Sequence, residues 1–191
     1  MTSGVLSAEG AQTIRSAVAQ RKNILVAGGT GSGKTTLVNA ILHEPEFQRQ
    51  RVVLIEDTRE LQCSAADRVE LLTKNTEPKV SMNDLLRMTL RLRPDRIVIG
   101  EVRGGEALAM LKAWNTGHPG GVATIHANSA QDALHRLEDL IGEVSQTIPH
   151  RAIASAINLV VFIERITAVP GRKVSQVQHI AGFHDGKYTF A

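Results

Sequence analysis

The chain has 191 residues, of which 42% are hydrophobic and 21% charged, enough for one domain with a sizeable core. Aromatic residues make up only 3%, so the core must be aliphatic, and the scarcity argues against a base-stacking surface for single-stranded nucleic acid. The net charge of +3 is compatible with an anionic ligand, nucleic acid or an acidic membrane face, and it decides between none of them.

Two further features bear on the compartment. Cys63 is the one cysteine of the sequence and cannot form an internal disulfide, which indicates a reducing environment. The sequence has no apolar run near the roughly 20 residues that span a bilayer, and its first residues lack a signal-peptide core. We therefore expect a cytoplasmic protein, with any membrane association peripheral at the inner membrane face.

The first half of the chain alternates apolar runs with helical patterns. Ser7 can cap a helix that runs to about Arg21, and a second helix is predicted from about Gly33 to His43, with Pro45 ending it. Short apolar runs typical of buried strands are NILVAG (23–28), RVVLIE (51–56) and RVELLT (68–73).

The second half continues this alternation. Capping patterns at Ser81 and Ser129 predict two helices, one over 82–93, stopped by Pro94, and one from Ser129 through about Ile141, closed by Gly142. Further helices are predicted on the face shared by Ala107, Leu111 and Trp114 and near 149–157, and further strands are RIVIGE (96–101), GVATIH (121–126) and NLVVFIE (158–164). The tail segments KVSQVQHI and DGKYTF indicate a hairpin turning around 182–186. The predicted fold class is α/β: a mostly parallel sheet with helices on both faces and a small antiparallel C-terminal extension.

A phosphate-binding loop is the strongest motif. GGTGSGKT (28–35) fits G-x-x-x-x-G-K-[ST] and lies between a predicted strand and a predicted helix. Glycines let backbone N–H groups converge on an anion, and the helix N-terminus adds its positive dipole end. Lys34 is predicted to reach the β- and γ-phosphates, and the Thr35 hydroxyl to hold Mg²⁺. The predicted nucleotide-binding residues are Gly28, Gly29, Thr30, Gly31, Ser32, Gly33, Lys34, Thr35 and Thr36.

Hydrolysis also requires a metal and an oriented water, and two predicted strands end in acidic residues. One provides Glu56 and Asp57, and the other provides Glu101. Gly100 stands where a metal-holding aspartate is usual, so either Glu101 serves both metal and water, or Glu56 shares that work. Glu101 is predicted to hold Mg²⁺ directly or through water.

Arginines that could stabilise transition-state charge are Arg59, Arg87, Arg91, Arg93, Arg96 and Arg103. Most could equally be solvated surface residues. We favour Arg103 because it closely follows Glu101.

Four segments in order resemble the secretion ATPase superfamily, which serves type II and type IV secretion, conjugation and type IV pili. GGTGSGKTT resembles its Walker A, IEDTREL its Asp box, LRLRPDRIVIGEVRGGEA its atypical Walker B and GHPGGVATIHANSA its His box. EDTREL and EVRGGEA most resemble the conjugal-transfer ATPases of the TrbB type, and the pilus motors come next. The resemblance implies a P-loop NTPase of RecA-like fold that uses ATP and Mg²⁺.

The resemblance also implies residue roles. Glu101 would polarise the attacking water, Glu56 would be the Asp-box acid, His126 would report nucleotide state and His118 would lie near a subunit boundary. The predicted position of His126 fits this role, because a parallel strand over 121–126 brings it to the carboxyl edge of the sheet, where ligands bind. His118 could equally be a plain loop histidine in the turn GHPGG.

Family members form hexameric rings with an N-terminal domain, and about 22 residues before the first strand are too few for one. We therefore interpret residues 1–22 as a linker remnant and lead-in helix and 23–191 as the ATPase domain. The expected function is Mg-dependent ATP hydrolysis that drives conformational change in a ring-shaped motor of type IV secretion or conjugative transfer, with other machinery components as partners. A pilus or type II secretion motor, and a nucleotide-gated assembly module with negligible hydrolysis, stay as alternatives. A nucleic-acid translocase is a weaker hypothesis, because the sequence contains no nucleic-acid-binding motif.

Overall fold

A computed structural model describes residues 4–191, which form one eight-stranded sheet with helices on both faces. Residues 1–3 of the predicted lead-in lie outside the described residues. The helices are α1 (Ala8–Ala19), α2 (Lys34–Leu42), α3 (Pro45–Gln48), α4 (Met82–Thr89), α5 (Glu106–Asn115), α6 (Ala130–Gly142) and α7 (His150–Ala156). The strands are β1 (Ile24–Ala27), β2 (Val52–Glu56), β3 (Arg68–Leu72), β4 (Arg96–Val102), β5 (Val122–Ile125), β6 (Leu159–Arg165), β7 (Arg172–His184) and β8 (Lys187–Phe190).

The strand order is β3-β2-β4-β5-β1-β6-β7-β8. The first six strands in this order run parallel, and β7 and β8 continue the sheet as antiparallel strands. The predicted fold class is therefore confirmed, including its antiparallel C-terminal extension. All the parallel strands end at one edge, which gathers the residues that follow β1, β2, β4 and β5.

Two apolar layers cover the sheet. Alternate residues of β1 belong to different layers, so Leu25 packs with α4–α7 on one face and Val26 packs with α1–α3 on the other. Every residue of β1, β2 and β5 is buried, as continuous apolar runs predict for strands covered on both faces.

The predicted helix caps are present. The Ser7 and Ser129 hydroxyls accept hydrogen bonds from the Gly10 and Asp132 amides at 3.0 Å, and Ser81 forms a reciprocal capping box with Asp84. These caps fix where α1, α6 and α4 begin.

Two predicted boundaries are wrong for local reasons. Pro45 opens α3 at its first position, where its missing N–H costs nothing, while α2 has already ended at Leu42. α4 ends at Thr89 rather than residue 93: the chain tightens into turns, and Arg93 before Pro94 takes φ +53°. The hairpin turn lies within the predicted range 182–186: β7 continues to His184, and the turn is Asp185–Gly186, both with positive φ.

Candidate nucleotide-binding site

The predicted phosphate loop lies between the end of β1 and the start of α2, as its motif requires. Gly33 caps α2 with φ +101°, and a Cβ there would lie 3.0 Å from the Cδ of Arg172. Glycine is therefore needed at this position for both its backbone conformation and its close packing. The Ser32 hydroxyl is buried and has no hydrogen-bond partner among residues 4–191, so a polar group of the loop is left for a ligand.

Lys34 is buried against its own loop. Its Nζ donates to the carbonyl oxygens of Gly28 at 2.9 Å and Gly29 at 3.1 Å, and it lies 3.4 Å from Nδ1 of His126. Burial lowers the pKa of the Lys34 ammonium, and the Glu101 carboxylate partly opposes that shift. The cation is held in place by weak neutral partners, which a phosphate oxygen can replace.

Glu101 lies on β4 where the pairing register with β5 shifts between Ile99 and Val102. Such an irregularity redirects a side chain at the end of a strand. Its Oε2 accepts a 2.6 Å hydrogen bond from Arg103, and this bond raises the pKa of the Arg103 guanidinium. Its Oε1 is 2.7 Å from Nε2 of His126 but is not aligned for a hydrogen bond, and this buried oxygen has no other partner in residues 4–191.

His126 follows β5 directly and bridges Lys34 and Glu101. Lysine can only donate, so Nδ1 must act as the acceptor and the ring proton lies on Nε2, facing the carboxylate. The ring therefore connects the Lys34 ammonium with the acid at the end of β4.

Glu56 is a buried acid with a structural task. Its Oε1 accepts hydrogen bonds from the amides of Glu60 at 2.9 Å and Leu61 at 2.8 Å. A Cβ at position 100 would lie 3.1 Å from the Glu56 Cγ, so Gly100 leaves room for this side chain. The glycine in place of the usual aspartate is thus explained by the neighbouring strand.

Glu60 is a site residue that the sequence reasoning missed. Its Oε2 accepts a hydrogen bond from the Thr35 hydroxyl at 3.2 Å. The signal was its place in EDTREL, after the strand that provides Glu56, but the turn that brings it back to α2 is not readable from that spacing.

All the predicted catalytic side chains line one cavity of about 270 Å³ beside the phosphate loop: Lys34, Glu56, Glu101, Arg103 and His126. Thr35, Asp57 and Glu60 line it as well. The donor set suits Mg²⁺, which prefers a hydroxyl, a carboxylate, phosphates and waters over a closed protein cage. The unpartnered Oε1 of Glu101 fits an outer-sphere or water contact, and within residues 4–191 no cluster of three His, Cys, Asp or Glu side chains forms a preformed metal site.

Several predicted candidates lie elsewhere. His118 comes before β5, at the amino edge of the sheet, where its Nδ1 is 3.1 Å from the Pro94 carbonyl oxygen. Arg96 is fully buried at that edge, and burial lowers the pKa of its guanidinium to about 10. Arg59 pairs with Glu70 at 3.4 Å, and Arg87 lines a groove beside α4 and α5. Of the arginines singled out, only Arg103 lines the cavity.

Comparison with known proteins decides the family. The sequence pattern of the family described as "Type II/IV secretion system protein" matches residues 2–182. The chain belongs to this family. The resemblance found in the four segments is confirmed over nearly the whole chain.

Among relatives of this secretion family, the chain is 52% identical to a probable conjugal transfer protein TrbB of Sinorhizobium fredii, over 97% of this chain and 56% of the relative. It is 45% identical to the type IV secretion system protein PtlH of Bordetella pertussis, over 80% of this chain and 48% of that one. The chain therefore spans about half the length of the relatives it matches.

Solved structures of family members share the fold. The VirB11 ATPase of the Brucella suis type IV secretion system, in complex with sulphate, superposes with a TM-score of 0.81 at 33% identity, over 90% of this chain and 52% of that one. The pilus retraction motor PilT with bound ADP gives a TM-score of 0.60 at 26% identity, over 92% of this chain and 48% of that one. Within the described residues, no helix is both long and apolar enough to cross a membrane.

Proposed function

We propose that this chain is the ATP-hydrolysing motor domain of a ring-forming ATPase in a bacterial type IV secretion or conjugative transfer system. The observation that carries the proposal is the linked set Lys34–His126–Glu101 beside the phosphate loop. We assign residues 23–191 to the ATPase domain and residues 1–22 to its lead-in, and we expect it to act in the cytoplasm.

Nucleotide binding uses the loop and the start of α2. Backbone amides of Gly29–Thr36 surround the phosphates, and the helix dipole favours their charge. Lys34 exchanges the carbonyl oxygens of Gly28 and Gly29 for β- and γ-phosphate oxygens, a change that converts neutral contacts into charge-assisted ones.

Hydrolysis needs a carboxylate that can take a proton from water in line with the γ-phosphate. Glu101 suits this task because Oε1 is buried and makes no hydrogen bond while Oε2 is held by Arg103. Bound Mg²⁺ would neutralise charge on the β- and γ-phosphates, with the Thr35 hydroxyl, Glu101 and Glu60 as the residues to hold it directly or through water. Glu56 instead fixes the segment that carries Glu60.

His126 couples the two halves of the site. When Lys34 moves toward a phosphate, Nδ1 of the ring loses a donor and can instead accept a hydrogen bond from the water at the γ-phosphate. The ring position then differs between nucleotide states, and a ring-shaped assembly could use that difference as a signal.

The relatives support the secretion assignment. Proteins named for conjugal transfer and type IV secretion match at 45–52% identity, and a pilus motor of similar fold was solved with bound ADP. A homo-hexameric ring and contacts with other secretion components are the partners this assignment implies. A pilus or type II secretion motor is the alternative within the family.

A nucleotide-gated assembly module is the second candidate. It is favoured by the contacts around Glu101, since Arg103 pairs with Oε2 at 2.6 Å and the His126 ring lies 2.7 Å from Oε1, and both restrict where the carboxylate can move. Such a protein would bind ATP and assemble while hydrolysing very slowly until Glu101 is released.

Phosphate release from Mg-ATP separates these candidates. We expect Glu101→Gln to lower turnover by about 10²- to 10⁴-fold, the range for losing a general base, and to leave ATP binding intact. Lys34→Ala should lose binding and turnover together. A wild-type rate no faster than that of Lys34→Ala, with nucleotide still bound, would assign the chain to the assembly candidate.

A further inference from the structure

An arginine of the C-terminal extension contacts the phosphate loop. β6 and β7 pair so that Arg165 is opposite Arg172, at the carboxyl end of β6. The Nε of Arg172 donates to the Gly31 carbonyl oxygen at 3.2 Å, across 141 positions of sequence. The antiparallel turn therefore returns a cation to the loop that follows β1.

Arg172 also faces a cavity of its own. A space of about 280 Å³ covers the start of α2 and is lined by Ser32, Gly33, Thr36 and Arg172. Lys34, Thr35 and Glu60 line both this space and the cavity that holds Glu101 and His126. The two spaces are thus adjacent regions along one loop.

The Arg172 guanidinium is available to an anion. Its side chain is exposed, and within residues 4–191 it has no acidic partner and its terminal nitrogens donate no hydrogen bond. Its stem packs against Gly33, which holds the side chain along the loop. An arginine fixed by one neutral bond loses little freedom when an anion binds.

The order of groups along the loop identifies the phosphates concerned. The γ-phosphate end is marked by Glu101 and His126, which line only the first cavity. Loop amides generally surround the α- and β-phosphates, and these amides and Thr36 belong to the cavity that Arg172 faces. Resting on the proposed function, we infer that Arg172 binds the α,β-diphosphate that ATP and ADP share.

This assignment has a kinetic consequence. A contact made equally with substrate and product stabilises both bound states and adds nothing specific to the transition state. Arg172 therefore retains ADP as well as recruiting ATP. Loss of this contact lowers kcat/KM through KM.

The test compares the variants Arg172→Gln and Lys173→Gln, each made in the 191-residue protein. Lys173 is the next residue of β7, is exposed and carries the same charge, but strand alternation directs it to the other face. The affinities of mant-ADP and mant-ATPγS are measured with Mg²⁺ by fluorescence titration. We expect Arg172→Gln to weaken both by about tenfold, as for one charge-assisted contact, and Lys173→Gln to change neither by more than about twofold.

The outcomes are distinguishable. Equal affinities of Arg172→Gln and wild type, while Lys34→Ala loses binding, would overturn the role of Arg172 and leave the proposed function standing. A loss for mant-ATPγS without one for mant-ADP would also overturn it, by placing the arginine on the γ-phosphate. Wild-type protein that binds neither nucleotide would contradict the proposed function itself. Arg172→Lys, which keeps a cation, should recover part of the affinity, and equal melting temperatures show that each variant is folded.

Discussion

The amino and carboxyl edges of the parallel sheet contain similar kinds of side chain but differ in how those side chains are hydrogen-bonded. The carboxyl edge holds the phosphate loop, Glu101 and His126, and the amino edge holds Asn23, Arg96 and the turn at Gly120–Gly121. Both edges bring polar and charged side chains from several strands together. They differ in how completely those groups are paired.

At the amino edge most of the buried polar groups satisfy one another. The Asn23 Oδ1 accepts from the Gly120 amide at 2.8 Å and the Gly121 amide at 2.9 Å, and its Nδ2 donates to the Ala156 carbonyl oxygen at 2.7 Å. Arg96 donates to the carbonyl oxygens of Val18 and Gly120 and to the Gln50 side chain, and it stacks over Phe47. This network is scaffold, because its groups bond to one another; among the described residues near this edge, Nε of Arg21 is the one buried side-chain atom without a hydrogen bond.

At the carboxyl edge the pairing is incomplete. The Ser32 hydroxyl and Oε1 of Glu101 are buried without partners, and Lys34 is held by loop carbonyls. Unpaired buried groups cost stability, so a fold keeps them where a ligand completes them. The degree to which buried polar groups are hydrogen-bonded thus distinguishes the structural edge from the candidate site more clearly than residue type does.

Removing Asn23 gives the largest expected change in stability. Asn23→Ala leaves two buried amides and one carbonyl oxygen unpaired, which we expect to lower the free energy of unfolding by about 4 kcal/mol. Urea unfolding measures it. Asn115→Ala is the matched control, because that exposed amide donates to the Ala152 carbonyl oxygen and accepts only a long bond from the Ser155 hydroxyl, so its loss should cost below about 1 kcal/mol. If both variants lost the same free energy of unfolding, the buried network at the amino edge would contribute no more than ordinary surface hydrogen bonds.

The histidines at the two edges give the next largest effect. His126→Ala should fold and bind ATP but lose turnover by about 100-fold, the lower range for a positioned acid–base group. His118→Ala should keep turnover within about twofold, since its contact is with Pro94 at the far edge. Steady-state phosphate release measures both. Equal losses would show that position at the carboxyl edge does not decide function.

The sequence predicted much of this arrangement because its signals are local. The G-x-x-x-x-G-K-T spacing, the apolar runs and the caps at Ser7, Ser81 and Ser129 each act within a few residues. Parallel strand ends then meet at one edge, which brought Glu56, Glu101 and His126 together before any contact was known.

The contacts that the sequence did not predict join residues that are distant along the chain or lie on either side of an irregular turn. Arg172 reaches Gly31 only through the β6–β7 pairing, and Glu60 reaches Thr35 through a turn held by Glu56. The different surroundings of Arg96 and Arg103 also follow from the fold, because Arg96 begins β4 at the amino edge and Arg103 follows β4 at the carboxyl edge. The residues next to an arginine in the sequence do not show whether its side chain joins a buried structural network or lines a binding site.

Tyr188 provides the smallest test of the comparison, in a cluster that lies on neither edge. Its hydroxyl donates to Oε1 of Glu138 at 2.6 Å, and Nδ1 of His150 lies 2.7 Å from the same oxygen. Because the cluster is saturated, it should behave as scaffold. Tyr188→Phe should lower the free energy of unfolding by about 1 kcal/mol at pH 8, the value of one hydrogen bond, and leave turnover unchanged.

The pH dependence of that difference has a definite sign. Burial and the bond to Glu138 raise the pKa of the Tyr188 hydroxyl above its usual value of 10.0. The unfolded tyrosine therefore ionises first, so stability that is fully present below pH 10 is lost as the pH rises further, by up to about 1.4 kcal/mol per pH unit. The phenylalanine variant lacks this loss, and urea unfolding at pH 8 and pH 10.8 should show the gap between the two proteins closing. A gap that stays constant would mean that the hydroxyl is not held in a saturated, buried bond.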